Sequence, residues 1–410
     1  MVLMLPTTTD NGARLAAILP TALAALALGT NGEAAEMLEQ ALPARLCRDA
    51  LETARLTPVR SVVIVVVDGL GHANLKAVSG HARTLSGLPA RRIETVIPST
   101  TGAALTTLTT GRLPGEHGLI GYRIRHPQQG LVTTLKGWAG IEDRRSWQRA
   151  EPLFGLASRL GARSVAIGRP AHASGGLTEA ILAGAEYLGG QTIADRFAIA
   201  SRLLRGGEPL FAYLYIDELD KAAHAEGWQS AKWLQRLEQL DASLDDLLRT
   251  LPADTGVIVT ADHGIVDVPR ERRLLLDDGS VPLGAVAEIG GEPRFRSLYL
   301  HAGEDSVAVA AEVGRSLGKL AWVGTRDEAI AANWFGPMSD GVAERLGEVL
   351  VVARGQAAFM LRSDDPAALE MVGQHGGISD EERGVPLALG GSLAGTAFAS
   401  VVATVAAAVR

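Results

Sequence analysis

Aromatic residues make up only 4% of this 410-residue chain, and it has a single cysteine, Cys47. With so few rings, a core must be built from Ala, Val, Leu and Ile, and a hydrophobic content of 47% supplies enough of them. That content excludes a disordered chain. One cysteine excludes an intrachain disulfide, and its surroundings, Pro-Ala-Arg-Leu-Cys-Arg, hold no nucleophile motif, so Cys47 reads as an ordinary thiol. Positive charge is not in excess either. Lys and Arg number 39 against 46 Asp and Glu, a formal charge of −7, and no basic run is interleaved with aromatics. Polymeric nucleic acid is therefore not an expected partner.

No secretory leader is expected either. The apolar stretch from Leu15 to Leu28 is preceded by Asp10 and a lone Arg14 and interrupted by Pro20, unlike a signal peptide. It is expected to form an amphipathic surface helix. The apolar run from Ala394 to Val409 is shorter than the roughly 20 residues that span a bilayer. It is predicted to dock on the core as the last helix. These features predict a cytoplasmic protein without a membrane partner; the oligomeric state is left open.

Short β-branched runs dominate what is present: Ser61 to Val67, Arg163 to Ile167, Leu210 to Ile216, Gly256 to Thr260, Ser297 to Leu300 and Glu348 to Val352. Each has the length and composition of a buried strand. Helical patterns lie between them, at Ala103 to Thr110, Pro152 to Leu160, Gln191 to Arg205 and Ala231 to Leu251. The alternation predicts an α/β fold with a mostly parallel central sheet and helices on both faces. Residues 123–150 and 269–296 fit it poorly and read as small cap insertions over the C-terminal end of the strands. The chain, 1–410, is otherwise expected to be a single domain.

Three predicted strands end in acids: Asp68, Asp217 with Asp220, and Asp262 followed by His263. Ligands of open parallel sheets bind beyond the carboxyl ends of strands, so these residues are expected to converge. Asp220-Lys-Ala-Ala-His224 places a carboxylate and an imidazole four residues apart, on one face of a helical turn where both can reach one ion. Asp217 is a rival ligand, seven residues before His224. A lone Asp after a strand is as often a cap or an Asx-turn, so the joint pattern carries the weight. In Pro98-Ser-Thr-Thr-Gly-Ala-Ala-Leu-Thr-Thr-Leu-Thr-Thr-Gly111, Ser99 and Thr100 are natural caps, and Thr101 falls at a helix start. There, free N–H groups favour an alkoxide and a bound phosphate.

In this order the motifs resemble the nucleotide pyrophosphatase/phosphodiesterase branch of the alkaline phosphatase superfamily, the type I phosphodiesterases. The resemblance runs from Asp68 through the Pro98-x-x-Thr101 segment, Gly111-Arg-Leu-Pro-Gly-Glu-His-Gly118, Asp220-x-x-x-His224 and Thr260-Ala-Asp-His-Gly264 to His375, which lies in Gly373-Gln-His-Gly-Gly-Ile-Ser379. It implies an alkaline-phosphatase-like fold and a hydrolase acting on phosphoric ester bonds. It implies two divalent ions, one held by Asp220, His224 and His375, the other by Asp68, Asp262, His263 and the hydroxyl of Thr101. Mixed nitrogen and oxygen ligation suits Zn²⁺, and ligand chemistry alone also admits Mn²⁺. By the same resemblance Thr101 is the nucleophile, attacking in line through a phospho-threonine intermediate on a small phosphate ester, a nucleotide being one candidate.

Three residues after Thr101, where the resemblance implies an asparagine holding a phosphate oxygen, the chain has Ala104. This leaves room for a phosphomonoesterase or phosphonate hydrolase on the same scaffold. A catalytically silent metal-binding protein would lack a ligand or the nucleophile, and none is missing. His72, His81, His117, His126, His172 and His301 show no ligand spacing; His117 reads as structural, and His72 is placed near the pocket. Tyr122, Trp138 and Trp147 offer rings that could stack a base, or else pack in the core.

Overall fold

The structure is a computed structural model that describes residues 5–30, 34–41, 56–136 and 138–409. Cys47 lies outside the described residues. The main sheet has seven strands: β1 (Ser61–Val67), β2 (Ala90–Glu94), β3 (Arg163–Gly168), β4 (Glu186–Gly189), β5 (Leu210–Ile216), β6 (Thr255–Thr260) and, last in the chain, Gly384–Gly391. Their spatial order is β2, Gly384–Gly391, β6, β1, β5, β3, β4. The Val-Val-Ile-Val-Val-Val run makes β1 the central strand, fully buried and parallel to β5 and β6, with Ser61 in register with both Leu210 and Thr255. Such uninterrupted apolarity is what a strand covered on both faces requires. Gly384–Gly391 runs antiparallel to both its neighbours.

One face of the sheet carries Ile193–Arg205, which packs on Ala231–Arg249; the other carries α1 (Ile18–Thr30), α2 (Thr101–Thr110) and the closing helix Phe398–Val409. The closing helix docks as expected, burying Phe398, Val401, Val402 and Val405. α1 differs from the expected amphipathic surface helix, because every residue from Ile18 to Ala27 is buried. A helix apolar all round has no face for water and goes inside. Ala13–Thr30 is long and apolar enough to cross a membrane, and 78% of it is buried within the protein.

Two predicted strands take a different place. Phe295–Leu300 and Val349–Ala353 belong to a second, antiparallel sheet of four strands, in the order Val286–Glu292, Phe295–Leu300, Val349–Ala353, Ala321–Thr325. A two-residue turn, Pro293-Arg294, folds the first two back on each other, with Gly291 at a φ of 74° just before it, and so short a link cannot make a parallel crossover. Side chains of this sheet alternate between two cores. Leu298, Val349 and Val351 pack with helix Ser306–Leu317, while Phe295, Leu350 and Val352 join the main core. The sheet extends well past 269–296. Within 123–150, strands Arg123–His126 and Gly130–Thr133 form a hairpin that abuts Val286–Glu292.

Candidate active site

The carboxyl ends of β1, β3 and β5 open onto one cavity of about 560 Å³, into which Asp68, Thr101, Asp220, His224 and His375 project. Asp68 follows β1 directly. Asp220 and His224 share helix α3 (Glu218–Glu226), which starts where β5 ends. Asp262 and His263 follow β6 and are fully buried. His375 arrives from far along the chain: Gly373–Gln374 pairs with Val266–Asp267, and Gly376 bridges to Ser99. The loop before Thr101 and the last ligand candidate are thereby tied together.

All three histidines are oriented alike. Nδ1 of His224 faces the carbonyl of Gly373 at 2.8 Å, that of His263 the carbonyl of Gly264 at 3.1 Å, and that of His375 the carbonyl of Ser99 at 3.0 Å. A carbonyl only accepts, so each Nδ1 carries a proton, and Nε2 is the nitrogen left to face a cation. Nε2 of His224 lies 3.1 Å from Asp220 Oδ2, and Nε2 of His263 lies 3.4 Å from Asp68 Oδ1 and 3.6 Å from Asp262 Oδ2. Ligand atoms of Asp220, His224 and His375 lie within 4.8 Å of one another, as do those of Asp68, Asp220 and His263.

This donor set fits divalent cations. Asp68 Oδ1, Asp220 Oδ1 and Asp262 Oδ2 are buried oxygens without a hydrogen-bond partner, a costly arrangement for carboxylates unless a cation answers it. Burial first, then Asp262 and Asp220, pushes the Asp68 carboxyl well above the ordinary range, and burial raises Asp262 as well. Burial, reinforced by His263, pushes His375 well down. Burial opposes charge on His224 too, but Asp220 overrides it and raises His224 to about 9. Too many acids meet too little positive charge, and dications correct that imbalance.

Thr101 is the first residue of α2, 7% exposed, and its hydroxyl donates to Nε2 of His263 at 3.0 Å. Thr100 holds the N-cap position without capping; its hydroxyl reaches Glu292 Oε2 at 3.3 Å instead. The first-turn N–H groups are thus left without a side-chain acceptor. Gly102 permits close approach of the next segment, since a Cβ there would lie 2.4 Å from Thr134 Oγ1. Gly69, at φ 73°, does the same for Asp220, whose Oδ1 would be 3.0 Å from an added Cβ.

A family model described as type I phosphodiesterase / nucleotide pyrophosphatase matches residues 62–378. The chain belongs to this family. As a type I phosphodiesterase / nucleotide pyrophosphatase family member it is a hydrolase acting on phosphoric ester bonds. No curated protein matches its sequence. Among solved structures, murine ectonucleotide pyrophosphatase/phosphodiesterase 5 is similar at 20% identity and a TM-score of 0.62, covering 80% of this chain and 87% of that one. An inactive threonine-to-alanine variant of the murine protein, in complex with AMP, is similar at 18% identity and a TM-score of 0.63, covering 81% and 88%. Phosphonoacetate hydrolase from Sinorhizobium meliloti 1021, in complex with phosphonoformate, is similar at 20% identity and a TM-score of 0.61, covering 87% and 98%. These likenesses establish the alkaline-phosphatase-like fold of the family member.

Other predicted positions separate clearly. Both oxygens of Asp217 are engaged by cations, Oδ1 by Arg169 at 2.7 Å and Oδ2 by Lys221. It borders the cavity as an anchor for α3. Ala104 is fully buried and does not line the cavity, so its methyl supplies no phosphate contact. Trp138 and Trp147 are buried against each other, whereas Tyr122 does border the cavity. His117 is fully buried, accepting from the Leu119 N–H and facing Thr107 Oγ1 at 2.9 Å; His72 is not a cavity residue. His172 is one, and lies 3.4 Å from Asp217.

Two cavity residues escaped the motif reading. Tyr215 donates its hydroxyl to Asp68 Oδ2; its period-two spacing with Tyr213 on β5 was the available signal. Glu292 is a buried carboxyl from the second sheet, with Oε1 unpartnered, and burial raises it to about 8. No motif in 269–296 marks it.

Proposed function

We propose that this family member hydrolyses a phosphodiester or pyrophosphate bond of a small substrate, with Thr101 as nucleophile. The observation that carries this reading is the hydroxyl of Thr101 at an uncapped helix N-terminus, 3.0 Å from a histidine within a cluster of unpartnered carboxylates. Two divalent ions, zinc by donor chemistry, would be held by Asp220, His224 and His375 and by Asp68, Asp262, His263 and Thr101. Bound there, such ions supply Lewis acidity that favours an alkoxide over an alcohol and neutralises phosphoryl charge.

The protein's own groups do the rest. Oγ1 of Thr101 attacks phosphorus in line as the bond to the leaving oxygen breaks, giving a phospho-threonine; water then cleaves the Oγ1–P bond. In sum, the hydroxyl of water ends on phosphorus and its proton on the departing alcohol. First-turn N–H groups of α2 point their dipole at the transferred oxygens. The three Nδ1–H bonds fix the imidazoles, and Tyr215 fixes Asp68. In this reading the second sheet caps the site, contributing Glu292, and the chain works as a single domain.

The test is turnover of bis(p-nitrophenyl) phosphate and p-nitrophenyl phosphate by the zinc-loaded wild type and Thr101→Ala. Loss of at least a thousandfold in the variant, with most metal retained, is expected. Full residual activity would sink the nucleophile assignment. A large preference for the monoester would assign monoester chemistry instead.

A further inference from the structure

The cavity beside Thr101 has two chemically different ends. Around Asp68, Asp220, His224 and His375 it is polar; away from them the wall is mostly apolar, with Leu105, Ile167, Leu177, Ile181 and Leu182, and Thr178, His172 and Tyr213 also line it. The two ends are continuous. Leu105 stands one turn beyond Thr101 on the same face of α2. Tyr215 touches Asp68 with its hydroxyl, while its ring stacks on Tyr213 with centroids 6.3 Å apart and planes at 12°.

Two of the cavity tyrosines turn their hydroxyl protons to the protein. The hydroxyl of Tyr187 donates to the Arg169 carbonyl at 2.7 Å, and that of Tyr215 to Asp68, so both protons are committed within the protein. Gly168 leaves room for the first arrangement, since a Cβ there would fall 2.4 Å from the Tyr187 oxygen. A nucleoside in this chamber would bring ribose hydroxyls and base edges mostly against aliphatic side chains, with few groups to replace their hydrogen bonds to water. A hydrocarbon chain would lose nothing polar and gain from burial.

We propose that the chamber holds a medium-length or long alkyl group esterified to the phosphate, so that the substrate class is alkyl phosphoesters. This rests on the reading of Thr101 as the phosphoester-cleaving centre. Volume is sufficient, since about 560 Å³ lies within the range of pockets that enclose ligands of drug size. Affinity should rise about fourfold for each methylene added until the chamber is full.

The experiment is calorimetric titration of the zinc-loaded protein with n-alkanols from butanol to decanol, with n-alkyl phosphonates of the same lengths, and with AMP. Turnover of a matched series of alkyl p-nitrophenyl phosphates is measured in parallel. Expected are a steep chain-length dependence in both binding series and octyl phosphonate binding at least tenfold tighter than AMP. Leu182→Asp should flatten the dependence, and Thr178→Trp, which fills the chamber, should truncate it; both sites are half-buried, and melting curves check folding. Flat chain-length dependence with ester turnover intact would overturn the alkyl chamber alone. AMP binding as tightly as octyl phosphonate would overturn the substrate class. A steep alkanol series with no ester turned over would overturn the phosphoester reading, and the substrate class with it.

Discussion

Glu292 gives the metal-free protein a measurable liability. Its carboxyl is fully buried, one oxygen lacks a partner, and burial raises it from the ordinary 4.5 to about 8. A raised acid binds more protons folded than unfolded between these values, so stability falls as pH rises through that window. Each unit costs about 1.4 kcal/mol, and the interval from pH 6.5 to 8 costs about 2 kcal/mol. Histidines whose protonation is suppressed by folding are still partly protonated in the unfolded chain near pH 6.5, and over this interval they pull the other way. His224, raised to about 9, and Asp68 lose stability in the same direction, so the wild-type slope alone does not isolate Glu292. Comparison with Glu292→Gln does. Urea unfolding of both proteins in a chelator, at pH 6.5 and pH 8, should show the wild type losing about 2 kcal/mol more than the variant. Equal losses in the two proteins would refute the assignment of a buried, proton-holding carboxyl at this position.

Two further outcomes follow from the same physical chemistry. His117 is pushed down to about 3 by burial and by Arg345, so folding excludes its proton and stability should fall as pH drops below 6.5. His117→Gln should lessen this acid-side loss by about 1.4 kcal/mol per pH unit, read by urea unfolding at pH 4.5 and 6.5; an unchanged slope would count against a neutral, buried ring. Gly69→Ala puts a Cβ at φ 73° and 3.0 Å from Asp220 Oδ1, which should cost about 1–2 kcal/mol and displace that carboxylate. Metal content after dialysis should drop together with turnover, and undiminished zinc affinity would show that Asp220 does not need the space.

Legibility of the chain varied with how local each signal was. β1, β5 and β6 were readable because a strand buried on both faces leaves an uninterrupted apolar run, and their terminal acids marked where ligands gather. The pairing of Asp220 with His224 depended only on helical spacing. By contrast, Phe295–Leu300 and Val349–Ala353 look like the other strands in composition, and only their short connections and antiparallel partners separate them into a second sheet. The N-terminal helix was misjudged because exposure was assumed for an element whose composition has no polar face. Glu292 had no motif at all. Its significance comes from packing against Thr100, 192 positions away, a relation that periodicity does not encode.

The bridge between Ser99 and Gly376 also bears on how the enzyme is made. It joins residues on either side of more than two thirds of the chain, and His375 holds its orientation through the Ser99 carbonyl. During synthesis, Asp68, Thr101, Asp220 and His263 emerge from the ribosome long before the segment that completes their surroundings. A nascent chain halted before residue 370 would carry Thr101, Asp68, Asp220 and Asp262 without His375. The pairing that ties Ser99 to Gly376 therefore closes only once the C-terminal part of the chain has been made.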